Sequence, residues 1–95
     1  MMSRQLRLTD AQVYTLRRMN NGTRYFMRGD MDKGEQDKGS HRVNCPSLPV
    51  LFREGLVDWC NRSCQKFDGL YYSVNLTPDG VSAAVGALTR KERGL

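Results

Sequence analysis

Four side chains have the types a transition metal would select: His41, Cys45, Cys60 and Cys64 offer one imidazole and three thiolates, a donor set suited to zinc. Their spacing is H-x3-C and C-x3-C, not the two-residue knuckle usual in zinc ribbons. A strand continuing through Cys60 and Cys64 would hold them roughly 13 Å apart. The other reading is buried or incidental cysteines, and three cysteines at no familiar spacing fit a reducing compartment better than a disulfide framework. Catalysis has less to work with. His41 is the single histidine, no serine, cysteine or carboxylate pair stands at a spacing that sets a nucleophile beside a base, and no glycine-rich phosphate loop is present. The expectation is a protein that is not an enzyme and carries no cofactor.

Positive charge is the other chemical resource. Fifteen Lys+Arg against ten Asp+Glu give a formal charge of +5, which suits a polyanionic partner. Residues 1–28 hold six arginines and one acid, whereas residues 29–39 are net acidic. Arg4 and Arg7 sit in a short arm, residues 1–7, able to lie along phosphates or simply to fray. Arg53 could take guanine and Asn44 adenine by bidentate hydrogen bonds, with Ser47 on the same outward side. Arg62 and Lys66, with Phe67 beside them, stand in a turn that could reach a minor groove or its phosphates. Arg17 and Arg18 close a helix, where their first use is to complement its dipole.

These side chains depend on a few elements for their placement. Thr9 and Gln12 form a capping box, and Leu8 with Val13 a hydrophobic staple, so a helix starts here. Val13, Leu16 and Met19 are its buried stripe, and Asn20, Asn21 and Gly22 end it. The run TRYFMR, residues 23–28, has strand propensity. Residues 29–40 carry three glycines, six charges and almost nothing apolar, which predicts a mobile loop. A short helix follows, confined to about two turns by Pro46 and Pro49. Leu48, Leu51 and Phe52 share its inner face, Gly55 is placed to end it in a left-handed conformation, and Leu56 can fold back on Leu51. A hairpin over 56–76 pairs Val57 and Trp59 with Tyr72, Val74 and Leu76. Thr77 and Pro78 then open a helix over 77–90. Its expected buried stripe is Val81, Ala84, Val85 and Leu88. The bare flank of Ala83, Gly86 and Ala87, with Arg90 after it, offers close approach to another backbone, such as that of a second subunit.

The pattern L-x-x-x-GLV at Leu51, Gly55, Leu56 and Val57, followed by Y-x-x-x-LT-x-x-G at Tyr72, Leu76, Thr77 and Gly80, resembles the winged helix-turn-helix modules of MarR-like and PadR-like transcriptional regulators. The resemblance covers roughly residues 6–90. It implies a single α+β domain: a small winged helix with a helical core, a two- to three-stranded β-wing and a C-terminal helix. It also implies that the helix before GLV reads double-stranded DNA and that the terminal helix forms a homodimer. The first functional expectation is thus a DNA-binding regulator of transcription. The second, from another class, is a phage-type or mobile-element protein that uses the same scaffold to bind and inhibit a host protein complex. No apolar run approaches the ~18 residues that span a bilayer, so the expected place is the cytoplasm, with no membrane partner.

Overall fold

In the computed structural model, which describes residues 8–61 and 69–94, the first helix begins where its capping signals stand. The Gln12 amide N–H donates to the Thr9 hydroxyl at 3.2 Å, and the Gln12 side chain accepts from the Thr9 N–H at 3.0 Å. Helix α1 runs Asp10–Asn20, and Gly22, at φ +99°, turns the chain out of it. Val13 and Leu16 are fully buried, with Met19 packed on the core. The chain continues through β1 (Tyr25–Arg28), β2 (Gly34–Asp37), β3 (Arg42–Asn44), α2 (Ser47–Arg53), β4 (Val57–Trp59), β5 (Tyr71–Leu76) and α3 (Pro78–Gly86). The strands make one five-stranded antiparallel sheet in the order β3-β2-β1-β5-β4. Together with the three helices it makes a small α+β fold. Tyr25, Met27, Val74 and Trp59 share its inner face with Leu16, Leu48, Leu51 and Ala84 from the helices.

The join between α2 and the sheet follows the sequence closely. Gly55 has φ +79°, its N–H donates to the Phe52 carbonyl, and the Leu56 N–H reaches back to the Leu51 carbonyl at 3.0 Å. Those are the two hydrogen bonds of a Schellman cap, with Leu51 and Leu56 both in the core. Val57 then pairs with Leu76 and Trp59 with Val74, the expected inner-face register. Trp59 is held edge-on between Phe52 and Tyr72, ring centroids 5.2 and 6.0 Å away. Thr77 closes the unit. Its hydroxyl donates to the Gly55 carbonyl at 2.7 Å and accepts from the Gly80 N–H at 3.0 Å, while its own N–H donates to the Leu56 carbonyl at 3.0 Å. Gly80 lies so close that a Cβ there would overlap the Leu56 carbonyl oxygen.

Two regions depart from expectation. Residues 29–40 are not a loop throughout: β2 occupies 34–37 and pairs with β1 on one side and β3 on the other. Charged residues form a strand here because the outer sheet face meets water, where their side chains remain solvated. Gly34 supplies the inward fit, since a Cβ would stand 2.5 Å from that of Leu48 on α2. Arg28 binds Asp30 at 2.9 Å and ties the β1–β2 turn. The second departure is α3, which stops at Gly86 rather than at 90, with Ala87 extended at ψ 141°. Tertiary hydrogen bonds take over at that point. The Arg17 guanidinium donates to the Ala87 carbonyl at 2.9 Å and to Glu92, and the Arg90 N–H donates to Asp10 at 2.8 Å. The following segment is thereby tied to α1.

Gly80→Ala is expected to cost about 2 to 3 kcal/mol by overpacking against the Leu56 carbonyl, against about 1 kcal/mol for Gly55→Ala, which meets only a left-handed backbone. Urea melts that reverse this order would show that the α3 start does not rest on Leu56. The tail contact gives a pH signature. Hydrogen bonds from the Arg17 guanidinium and the Thr89 N–H lower the Glu92 carboxyl from 4.5 to about 2. A carboxyl more acidic folded than unfolded stabilises fully above its unfolded value, and that contribution fades as pH falls toward the folded one. The melting-temperature gap between the native chain and Glu92→Gln should therefore be widest above pH 4.5 and close on approach to pH 2.

Candidate nucleic-acid interface

A helix that reads bases must leave a face bare, and α2 does not. Ser47, Leu48, Pro49 and Leu51 are buried, Val50 and Phe52 half-buried, and only Arg53 is exposed. Two prolines make the helix short, and a seven-residue helix wedged between α1, β2 and β4 has few positions left to present. Ser47, expected to face outward, is 9% exposed. Asn44 is exposed, but it lies on the edge strand β3 and not on α2. Arg53 stands alone at the other end of α2. The remaining expected DNA contacts, Arg4, Arg7, Arg62 and Lys66, lie outside the described residues, as does Phe67.

The possible zinc donors are not brought together. His41 is exposed in the β2–β3 turn beside the Ser40 hydroxyl, and Cys45 is buried next to Thr15, its sulfur 3.7 Å from the hydroxyl. Cys60 follows β4 at the opposite edge of the sheet, so four strand spacings, roughly 19 Å, separate it from the β3 side. Burial pushes the Cys60 thiol up, away from the thiolate a metal needs. Cys64 lies outside the described residues, and among those described no cluster of three or more His, Cys, Asp or Glu could hold a metal.

What the fold does assemble is a basic rim. The Asp37 N–H donates to the Arg24 carbonyl at 2.9 Å and Asp37 pairs across with Arg42, so Arg24, Lys38 and Arg42 meet where β1 begins and the β2–β3 turn ends. Arg18, in the last turn of α1, lies over the Tyr14 ring at 5.9 Å, close to the same end. Arg18, Arg24 and Lys38 are exposed with no ion pair among the described residues. Arg42 spreads over Phe26 at 3.9 Å and reaches Glu35 only at 3.8 Å. Two grooves flank the end of α1. One, of about 480 Å³, holds Arg24 with Thr23, Ser73 and Asn75; the other, of about 330 Å³, holds Arg18 with Gln36, Asn44 and Ser47. Among the described residues, neither is lined by a carboxylate. Sequence reading missed this rim because its members come from four places, α1, the approach to β1, the β2–β3 turn and β3, and Lys38 lies inside the acidic stretch 29–39. It also set Arg17 and Arg18 to the same task, whereas Arg17 is committed to Glu92 at the C-terminal side.

The C-terminal helix turns the other way from the one expected. Ala84 is buried and Ala83 packs on the core, while Val81 is 42%, Val85 74% and Leu88 50% exposed. The small residues face inward because α3 crosses close to α1 and to the Leu56 carbonyl, where nothing larger fits. Ala83 and Ala87, expected at a subunit interface, are thus half-buried within the chain; Gly86 is exposed, with open space where a side chain would be. Arg90 is exposed, its backbone tied to Asp10.

Comparison of the chain with family models, with curated proteins and with solved structures returned no match.

The orientation of α3 is open to a direct check. Ala83→Glu should lower unfolding stability by about 2 kcal/mol, since it forces a charge toward the core, whereas Val85→Glu should stay within about 0.5 kcal/mol. Equal effects in urea melts would mean that α3 is rotated from this position.

Proposed function

We propose that this chain binds duplex DNA chiefly through its phosphates, using the rim of Arg18, Arg24, Lys38 and Arg42. The observation that carries the reading is that Arg24 and Arg18 each line a groove with no carboxylate among its described lining residues, while Lys38 and Arg42, in the β2–β3 turn and β3, stand beside the strand position that bonds Arg24. A winged-helix reading draws support from the coupling of α2, Gly55, the β4–β5 pair and α3 through Thr77. The buried α2 argues for contacts that hold the duplex rather than contacts that read its bases, because phosphate bonds position a protein without carrying sequence information. Arg53 is the one α2 side chain free to add a contact.

A second reading has its own observation. The outward row of Val81, Val85 and Leu88 on α3 and just beyond it is an apolar surface left exposed among the described residues. It favours a protein partner, whether a second copy of this chain or the host protein complex that a phage-type or mobile-element module would bind.

Fluorescence anisotropy with a labelled duplex across a salt series separates the two. Each phosphate contact contributes about −0.9 to the slope of log K against log salt. Arg24→Ala combined with Lys38→Ala should flatten that slope by up to about two units and weaken all duplexes alike. Val85→Glu should leave it unchanged. A double variant with the native slope would remove the rim from the interface, and an α3 variant that alone abolishes binding would favour the second reading.

A further inference from the structure

The smaller of the two grooves has the makings of a site in its own right. It lies between α1 and the junction of β3 with α2, encloses about 330 Å³, and is lined by Thr15, Arg18, Gln36, Asn44, Cys45 and Ser47, with the Tyr14 ring at its mouth. That volume is at the lower end of what small-ligand pockets enclose. Its floor is closed: the Thr15 hydroxyl donates to the Ala11 carbonyl at 2.9 Å and stands 3.7 Å from the Cys45 sulfur, so these two groups satisfy one another.

The groups above the floor are rich in hydrogen-bond donors. Gln36 uses its side-chain oxygen to accept from the Tyr25 hydroxyl at 3.2 Å, which leaves its amide nitrogen free to donate. Burial holds the Tyr25 hydroxyl in its neutral, donating form. Ser47 is nine-tenths buried, and its hydroxyl has no hydrogen-bond partner among the described residues. Asn44 adds a second free amide from the edge strand, and Arg18 adds the positive charge. No acid lines the groove. One arginine, two amides and a hydroxyl around a carboxylate-free hollow make a set of charge-assisted donors that matches a multi-oxygen anion.

We infer that this groove seats a phosphate group, held by Arg18, Gln36, Asn44 and Ser47. The Tyr14 ring lies beside whatever carries that group. The inference deepens the phosphate-binding reading and rests on it for one of two sources. The phosphate belongs either to the DNA backbone at the rim or to a free phosphorylated small molecule that occupies the groove and competes with DNA.

The test is an amide-resonance titration of the full chain with inorganic phosphate, then adenosine monophosphate, then a short duplex. Inorganic phosphate should shift Gln36, Asn44, Cys45 and Ser47 saturably. Ser47→Ala and Asn44→Leu should each weaken it about tenfold or more, as loss of one hydrogen bond to a charged group implies. Asn44 is exposed on an edge strand, so its variant keeps the test decisive should Ser47→Ala fail to fold. Tighter binding of adenosine monophosphate than of phosphate assigns the site to a small molecule; displacement of phosphate by the duplex assigns it to the backbone. Saturable phosphate binding without any duplex binding sustains the groove and overturns the DNA reading. No saturable shift, or one that both groove variants leave unaltered, overturns the groove, even where the rim still gives its salt slope.

Discussion

Most of this fold depends on one side chain, Thr77. Its hydroxyl donates to the carbonyl of Gly55, where α2 ends, and accepts from the N–H of Gly80, in the first turn of α3. Its backbone N–H holds the Leu56 carbonyl, where β4 is about to begin. Two stretches of chain, 55–56 and 77–80, therefore meet at a residue whose local duty is only to cap a helix. The two glycines beside it have different reasons to be glycine. Gly55 needs a left-handed backbone, and Gly80 needs the absence of a side chain against the Leu56 carbonyl. The spacing GLV to LTPDG encodes both halves of that contact, but the contact exists only once β4 and β5 pair.

From this hub the core follows with little freedom. Fixing Leu56 fixes Val57 and Trp59 on the inner face, and Trp59 wedges between Phe52 and Tyr72. Its register against Val74 then carries on to Tyr25, which pairs with the same Val74 and with Gln36. Polar residues that read as loop material become β2 because β1 offers an unpaired edge, and β3 then pairs with β2. Backbone hydrogen bonding across that edge outweighs weak strand propensity. The cost of so much packing is that α2, enclosed between α1 and the sheet, has one bare side chain and no reading face.

Charge shows the same dependence on assembly. Along the chain, the stretch 29–39 is acidic and the positive surplus belongs to the first 28 residues. In space, Lys38 and Arg42 stand near Arg24, while Asp30 and Asp32 are drawn to Arg28 and Glu92 to Arg17; Glu35 and Asp37 stay beside Arg42. Among the described residues Arg18, Arg24 and Lys38 have no ion pair, and the two hollows beside them have no carboxylate in their lining. This redistribution gathers much of a modest net charge at one end of the sheet, and it places Gln36, Asn44 and Ser47 in one groove with Arg18.

The sequence by itself determined the elements whose signals are local. The α1 capping box, the Gly55 cap, the Thr77–Pro78 start of α3 and the inner face of Val57, Trp59, Val74 and Leu76 are all where residue type and spacing placed them. Each depends on hydrogen bonds or side-chain alternation within a few positions. Only the tertiary structure decided what depends on neighbours distant in sequence. It made a strand of residues 34–37 and cut α3 short at Gly86 through Arg17 and Asp10. It left Ala84 buried as expected but turned Ala83 inward and Val81, Val85 and Leu88 outward, with α3 packed closely on α1 and on the Leu56 carbonyl. The candidate site divides in the same way. Positive charge was legible in the composition, but which arginines converge was not, since convergence follows from strand order and no periodicity along the chain records it.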